Sequence, residues 1–307
     1  MTSVGVGIPV WNGAAYLADA VESLLAQTTR PDHILIADNG STDDSVAIAE
    51  GIAAAEPTIS VLRRDENVGA AGNYNDLVDR VETDLFAWLP HDDRWSPELL
   101  ESLIHAHADP DVAISYGRRR SIGPDGAALA ETPGDIIWSD SHDPIERLRE
   151  LFEDPHHSHL HDCSAVLGLA RRDVLRTTAR VQPFGNSDKV LLVELALHGR
   201  LVPVDAIFER RVHEMSSVKA NPDDTSRRRW FDPNATGPDL PQFRLWRGYR
   251  EGIDRAPLSP AQRRAARRLV RSWALEGRRP RMLAGEARQQ LAWTVTGPIS
   301  RRSSTRS

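Results

Sequence analysis

Through its first 120 residues the chain alternates short apolar runs with stretches whose apolar residues recur at helical spacing. Val4-Gly5-Val6-Gly7-Ile8 reads as a strand, and Ala14 to Gln27 follows with Leu17, Val21, Leu24 and Leu25 on one helical face. His33 to Ala37 is a second strand, followed by a helix carrying Val46, Ile48, Ala49 and Ile52, for which Ser41 or Thr42 is the expected cap. Ile59 to Leu62, the run ending at Leu89, and Val112 to Tyr116 are further strands, with helices expected from about Ala71 to Val81 and from Pro97-Glu98 onward. Strands that alternate with helices build βαβ units, because parallel neighbours need a crossover. The expected class is therefore α/β, a mainly parallel sheet flanked by helices.

Such sheets bind ligands beyond the carboxyl ends of their strands, and the polar residues collect there. Strand one ends in Pro9-Val10-Trp11-Asn12 and strand two in Asp38-Asn39-Gly40-Ser41; strand three leads into Glu66-Asn67-Val68-Gly69-Ala70-Ala71-Gly72-Asn73, and strand four stops on Asp92-Asp93. Two adjacent carboxylates repel, and a nearby positive charge offsets them. A hard divalent cation with oxygen ligands does so and also binds phosphate. Each cluster alone also fits a plain reading, a turn with a helix cap for Asp38-Asn39-Gly40-Ser41 and a solvated turn for Asp92-Asp93. Their shared rim favours a ligand site. Gly5-x-Gly7 is no dinucleotide fingerprint, since the glycines lie inside the strand rather than after it, and no Walker-type loop is present.

Composition bounds the remainder. Of 307 residues, 40% are hydrophobic and 27% charged, an ordinary globular balance. No apolar run is long enough to span a bilayer, and the N-terminus lacks the basic and apolar regions of a signal peptide. The single cysteine, Cys163, excludes an internal disulfide and fits a reducing compartment. The net charge of −6 is uneven: residues 221–307 hold nineteen arginines against eight acids, and the first 220 residues carry about −17. A basic segment on an acidic body points to an anionic partner, either a lipid surface or the protein's own body; no nucleic-acid motif accompanies it. Four histidines, His156, His157, His159 and His161, precede Cys163 without a zinc-finger spacing.

At the rim residues the sequence resembles glycosyltransferase family 2, inverting nucleotide-sugar enzymes of GT-A fold. Five ordered pieces carry the resemblance: IPVWNGAAYLADAVESLLAQT, ILIADNGSTDDS, ENVGAAGNYN, LFAWLPHDD, and the segment from Gly185 to Ser217 with its closing Arg-x-His. The resemblance implies that Pro9, Trp11, Asp38 and Asn39 line the nucleoside pocket, with Asn67 and Asn73 near the diphosphate or sugar. It also implies that Asp92 and Asp93 hold Mg²⁺ or Mn²⁺, with Asp93 as the direct contact, that His213 lies near the diphosphate or metal, and that Asp188 is the catalytic base. Two departures stand out. Asp-Asn replaces the common Asp-Asp at strand two, a variant associated with deoxythymidine-linked donors, and Pro90-His91 stands where a further acid is common.

The implied activity is transfer of a sugar from a nucleoside diphosphate sugar, dTDP- or UDP-linked, to an acceptor hydroxyl of a glycan or glycolipid in the cell envelope. The implied location is cytoplasmic, with the basic region peripheral to the inner face of the membrane. The expected organisation is a catalytic domain over residues 1–217, with a nucleotide-sugar half (1–117) and an acceptor half (118–217), then a helical, Arg-rich extension over 218–307. A nucleotidyltransferase of similar topology would place a Gly-rich basic loop after strand one, and PVWNGAAYL lacks it. A non-catalytic sugar-nucleotide-binding protein would not need Asp188.

Overall fold

The structure is a computed structural model; it describes residues 2–129, 139, 141–153, 163–214, 221, 223–238 and 240–296. Eight strands form one mixed sheet in the order β3-β2-β1-β4-β7-β6-β8-β5. Strands β1 (Val4–Val10), β2 (His33–Asp38), β3 (Ile59–Arg63) and β4 (Leu85–Trp88) are all parallel to one another. Helices α1 (Leu17–Leu25), α2 (Ser45–Ala55) and α3 (Gly69–Arg80) make the crossovers. Beyond β4 the sheet turns mixed. The two-residue β5 (Arg94–Trp95) runs antiparallel to β8 (Arg200–Arg211), the three-residue β7 (Leu169–Arg171) runs antiparallel to both β4 and the long β6 (Val112–Ile122), and β6 and β8 run parallel to each other. Two and three residues are too few for a hydrophobic period to register, which is why β5 and β7 are silent in the sequence.

Every residue of β1 is buried, because the strand is covered on both faces. Its glycines make room for α3: a Cβ on Gly5 would sit 2.1 Å from Val81 Cγ1, and one on Gly7 2.9 Å from Leu77 Cβ. The Gly5-x-Gly7 pair is thus a helix-packing device. Helix α2 starts later than its expected cap. Its first residue is Ser45, and Ser41 instead accepts the Asn12 N–H at 2.9 Å.

Helices α4 (Leu99–Ala106), α5 (Pro144–Glu153), α6 (Arg172–Thr177) and α7 (Ser187–His198) complete the body, with a 3-10 turn at Cys163–Leu167. Helix α7 is apolar nearly all round and buried from Val190 to Leu197, as its sequence predicts. Among the described residues four helices follow: α8 (Asp224–Phe231), α9 (Pro241–Arg255), α10 (Pro260–Leu275) and α11 (Arg279–Thr296). Leu245, Tyr249 and Ile253 of α9 and Val270 and Trp273 of α10 join one hydrophobic cluster with Trp88 and the α7 leucines. No helix among the described residues is long and apolar enough to cross a membrane.

Candidate functional site

The carboxyl ends of the first four strands lie level. Val10 is in register with Asp38 and Asp38 with Arg63, while the Leu89 N–H donates to Gly7 O at 3.0 Å. Pro9, Trp11, Asp38, Asn39, Asn67, Asn73 and Asp92-Asp93 therefore all come to one rim. Trp11 stands out from it at 46% exposure.

Asp38 is 1% exposed. Its Oδ2 accepts the Gly40 and Ser41 N–H groups, both at 3.1 Å, and its Oδ1 is buried with no partner. A buried carboxylate oxygen without a donor is costly, so Asp38 Oδ1 marks a place where a ligand N–H or O–H belongs. Gly40, at φ +73°, supplies the left-handed turn that folds the two N–H groups back onto the carboxylate.

Asn39 turns its side chain to the neighbouring loop. Its Nδ2 donates to Asn67 Oδ1 at 3.0 Å and Gly69 O at 3.3 Å, and its Oδ1 accepts the Val68 N–H at 2.9 Å. Both amide hydrogens are spent on the 67–69 loop. Asn67 Oδ1 also accepts the Gly69 N–H at 2.7 Å, and Asn73 Nδ2 donates to Ala37 O at 2.9 Å, pinning α3 to β2. These three asparagines brace the loop at the head of α3.

Strand β8 brings cations to the acids of β4. The pairing of Arg94 with Glu209 and Trp95 with Phe208, continued two steps beyond β5, aligns Asp93 with Arg210 and Asp92 with Arg211. Arg211 is 3% exposed. Its N–H donates to Asp93 Oδ1 at 2.9 Å, its Nε to Asp92 O at 2.9 Å, its Nη1 to Gly123 O and Pro124 O, and its Nη2 to Asp19. Its guanidinium also lies 4.7 Å from the centre of the Tyr16 ring, which in turn packs 4.7 Å from the His213 ring.

The two acids separate in role. Asp93 is 4% exposed and tied to the Arg211 backbone. Burial, then the charge of Asp92, push its carboxyl well above the usual range. Asp92 Oδ2 lies 2.9 Å from His213 Nε2. Burial works against its charge too, but the hydrogen bond from His213 and the fields of His91 and His213 outweigh it and hold Asp92 below the usual range. His91 leans back on the rim with Nδ1 3.3 Å from Pro9 O, in space left by Gly13, whose Cβ would lie 2.3 Å from the ring. Of the two acids that the resemblance implies for a cation, Asp92 is paired with His213 and Asp93 is tied into the fold. Among the described residues no group of three or more His, Cys, Asp or Glu side chains is placed to hold a metal ion. A cation here therefore relies on few protein ligands, leaving positions for phosphate and water.

Asp188 lies in the first turn of α7, half-buried, with Oδ1 accepting the Lys189 N–H at 2.9 Å. Burial raises its pKa against the lowering pull of that N–H, Lys189, the Cys163 thiol and Arg210. Arg210 is the functional candidate that sequence reasoning missed. Its positive field reaches Asp93, Asp188 and the half-buried Tyr74, so it acts on both the Asp92-Asp93 turn and Asp188. The signal was present in Glu209-Arg210-Arg211-Val212: along a strand, adjacent arginines point to opposite faces. The histidines from His156 to His161 lie outside the described residues.

The family model described as "Glycosyl transferase family 2" matches residues 5–177. Among curated relatives, an uncharacterised glycosyltransferase of Rickettsia conorii is 28% identical over 168 residues, which is 54% of this chain and 27% of that protein. A Bacillus subtilis protein provisionally named a teichuronic acid biosynthesis glycosyltransferase is 29% identical over 141 residues, 45% of this chain and 56% of that one. The chain thus spans about a quarter to about half of these relatives' length. Among solved structures, Staphylococcus aureus TarS 1-349 in complex with UDP superposes with a TM-score of 0.58 at 15% identity, over 90% of this chain and 73% of that one. The mannosyltransferase PcManGT of Pyrobaculum calidifontis, in complex with GDP-Man and Mn²⁺, gives 0.56 at 14% identity, over 96% and 76%. At such identity these likenesses establish the fold, which is GT-A. With the family model covering more than half of its length, the chain belongs to glycosyl transferase family 2.

Proposed function

We propose that this protein is an inverting glycosyltransferase that moves a sugar from a nucleoside diphosphate sugar to an acceptor hydroxyl in cell-envelope glycan or glycolipid synthesis, on the cytoplasmic side. The observation that carries the reading is the buried, unpartnered Asp38 Oδ1 on the same rim as the Asp92–His213 pair. The first is an acceptor for a nucleobase or ribose donor, the second an anchor on the diphosphate side. The imide N–H of uracil or thymine is a donor of the required type, which favours a UDP- or dTDP-linked donor. The relatives' names and the UDP and GDP-Man complexes of fold neighbours support a nucleotide-sugar donor.

In the proposed reaction Asp92 and His213, with Asp93 beside them in sequence, would hold a Mg²⁺ or Mn²⁺ ion. When bound, that cation neutralises the charge that develops on the leaving diphosphate. Arg211 keeps the turn from Pro90 to Asp93 in place through Asp92 O and Asp93 Oδ1. Asp188 accepts the proton of the attacking acceptor hydroxyl; its raised pKa makes it a stronger base than a solvated carboxylate. Asn39, Asn67 and Asn73 fix the loop that closes the donor side. The proposed domain division keeps residues 1–117 for the donor and 118–217 for the acceptor, with the extension from 218 supporting α7.

Thermal-shift measurement against a panel of nucleoside diphosphate sugars with Mn²⁺ tests the reading. The true donor at ~100 times its Kd adds about 2.7 kcal/mol of stability. Asp38→Ala is expected to cut that donor's affinity by roughly 10- to 100-fold, the scale of a hydrogen bond to a charged group. A panel without any stabilising nucleotide would defeat the proposal.

A further inference from the structure

Residues 260–296, which span helices α10 and α11 and the turn between them, hold nine arginines against two glutamates, a net of +7. Some of these arginines have structural duties. Arg263 caps the end of α9, donating to Ile253 O at 2.6 Å and Asp254 O at 2.8 Å. Arg267 pairs with Asp254 at 2.7 Å, and Arg279 lies over the Trp273 ring while bonding Glu276. Arg264, Arg268 and Arg271 have no such duty: they are exposed, and no acid among the described residues pairs with them. They fall at i, i+4 and i+7, on one face of α10, and Leu275 at i+11 continues the stripe at 64% exposure. Ala266, Val270, Trp273 and Ala274 bury the opposite face. Helix α11, three residues later and packed on α9 and α10, adds exposed Arg281 and Arg288 and Leu291 at 67% exposure.

Two features argue that this face is built for a partner. Like charges at i, i+3 and i, i+4 weaken a helix, and a merely solvated face would intersperse acids. The arginines are also joined by the two most exposed large aliphatic side chains, Leu275 and Leu291. A polyanion such as nucleic acid has no use for those leucines, whereas a bilayer surface takes both chemistries: guanidinium groups at the headgroup phosphates and aliphatic side chains at the acyl boundary. The rest of the chain is acidic, so an anionic surface repels it and attracts this face.

We propose that the outer face of α10 and α11, centred on Arg264, Arg268, Arg271 and Leu275, docks the protein on an anionic phospholipid bilayer. Docking there would hold the enzyme at the surface where a lipid-linked acceptor resides. The docking itself needs neither donor nor acceptor, so its failure and the failure of the catalytic reading are separable.

The test is co-sedimentation of the full chain with vesicles of phosphatidylglycerol and phosphatidylcholine, compared with pure phosphatidylcholine vesicles. Binding is expected to the anionic vesicles alone at ~0.1 M salt and to be lost near 1 M, where the screening length falls to about 3 Å. Each arginine near such a surface contributes a factor of about 5. The triple variant Arg264→Gln/Arg268→Gln/Arg271→Gln therefore lowers the partition coefficient by roughly 100-fold, and Leu275→Ser/Leu291→Ser lowers it by about tenfold. All five side chains are exposed, so the melting temperatures of both variants stay at the wild-type value; a charge-preserving triple Arg→Lys variant retains most of the binding. Equal binding to both vesicle types, or undiminished binding of the triple Gln variant, overturns the proposal. So does a chain that ignores vesicles while forming a dimer, or binding duplex DNA, through the same arginines.

Discussion

At the scale of single residues, the site depends on side chains whose roles differ from those of their neighbours in sequence. Asp92 faces His213, while Asp93 faces into the fold beneath the Arg211 backbone. Asp92→Ala is therefore expected to remove metal-stimulated turnover with little change in melting temperature. Asp93→Ala lowers the melting temperature as well, since it strands a buried N–H at about 1–3 kcal/mol; turnover and melting curves measured side by side separate the two. Asp188→Asn is expected to reduce kcat by ~10² or more with donor affinity nearly unchanged. The base must be ionised and burial raises its pKa, so the acid limb of the wild-type kcat profile lies above the usual carboxylate range. His107, far from the site, reports on stability. Its Nε2 donates to Leu169 O at 2.8 Å, its Nδ1 is buried without a partner, and burial lowers its pKa from 6.5 to about 4. The fold thus favours neutral His107 while the unfolded chain takes up a proton. Stability should fall as pH drops from 6.5 toward 4, by on the order of 3 kcal/mol. Denaturant titrations of wild type and His107→Gln, which keeps a donor for Leu169 O, should show the steeper acid loss only in the wild type.

At the scale of elements, helix α7 is the link between the proposed base and the C-terminal helices. It is apolar on every side because α5, α9 and the sheet surround it. Its one buried acid in mid-helix, Glu194, pairs with Arg255 of α9 (Nε to Oε1, 3.0 Å) and accepts the Ala179 N–H at 2.7 Å. The close approach of α9 requires small residues. A Cβ on Gly248 would sit 2.8 Å from Val190 Cγ2, and one on Gly252 2.6 Å from Glu194 Cγ. In an exposed helix Gly→Ala gains about 1 kcal/mol. Gly252→Ala is expected to do the reverse, lowering the melting temperature, because Glu194 is held from two sides and cannot yield. A rise in melting temperature for Gly252→Ala would show that Glu194 does move aside.

At the scale of the whole molecule, the basic segment is no appended tail. Leu245, Tyr249, Ile253, Val270 and Trp273 are buried in the core that holds Trp88 and the leucines of α7. Phe152, Tyr249 and Trp273 form an aromatic cluster with ring centres 5.1–6.2 Å apart, drawing α5, α9 and α10 together. Truncation at residue 239 is expected to yield aggregated protein on size exclusion, since it bares the apolar faces of α5 and α7. The positive charge of α10 and α11 sits on the outer faces of helices whose inner faces are core. The asymmetry visible in the sequence is thus an asymmetry of one folded surface.

The parallel half of the sheet was legible from the chain alone. Strands and helices there are long enough for their periods of 2 and 3.6 to register, and the loops at their carboxyl ends carry the polar residues that define the rim. Helix α7, strand β8 and the basic character of the last helices were legible for the same reason. Short-range pattern carried no trace of β5 and β7, of Asn39 turning inward to brace the 67–69 loop, or of Asp92 rather than Asp93 meeting His213. Nor did it show that the positive field of Arg210 reaches both Asp93 and Asp188. Those outcomes rest on contacts between residues distant along the chain, from Asn39 with Asn67, 28 positions apart, to Asp92 with His213, 121 apart. Sequence periodicity determines which face of an element is apolar; only tertiary packing decides which polar groups meet across the rim those elements form.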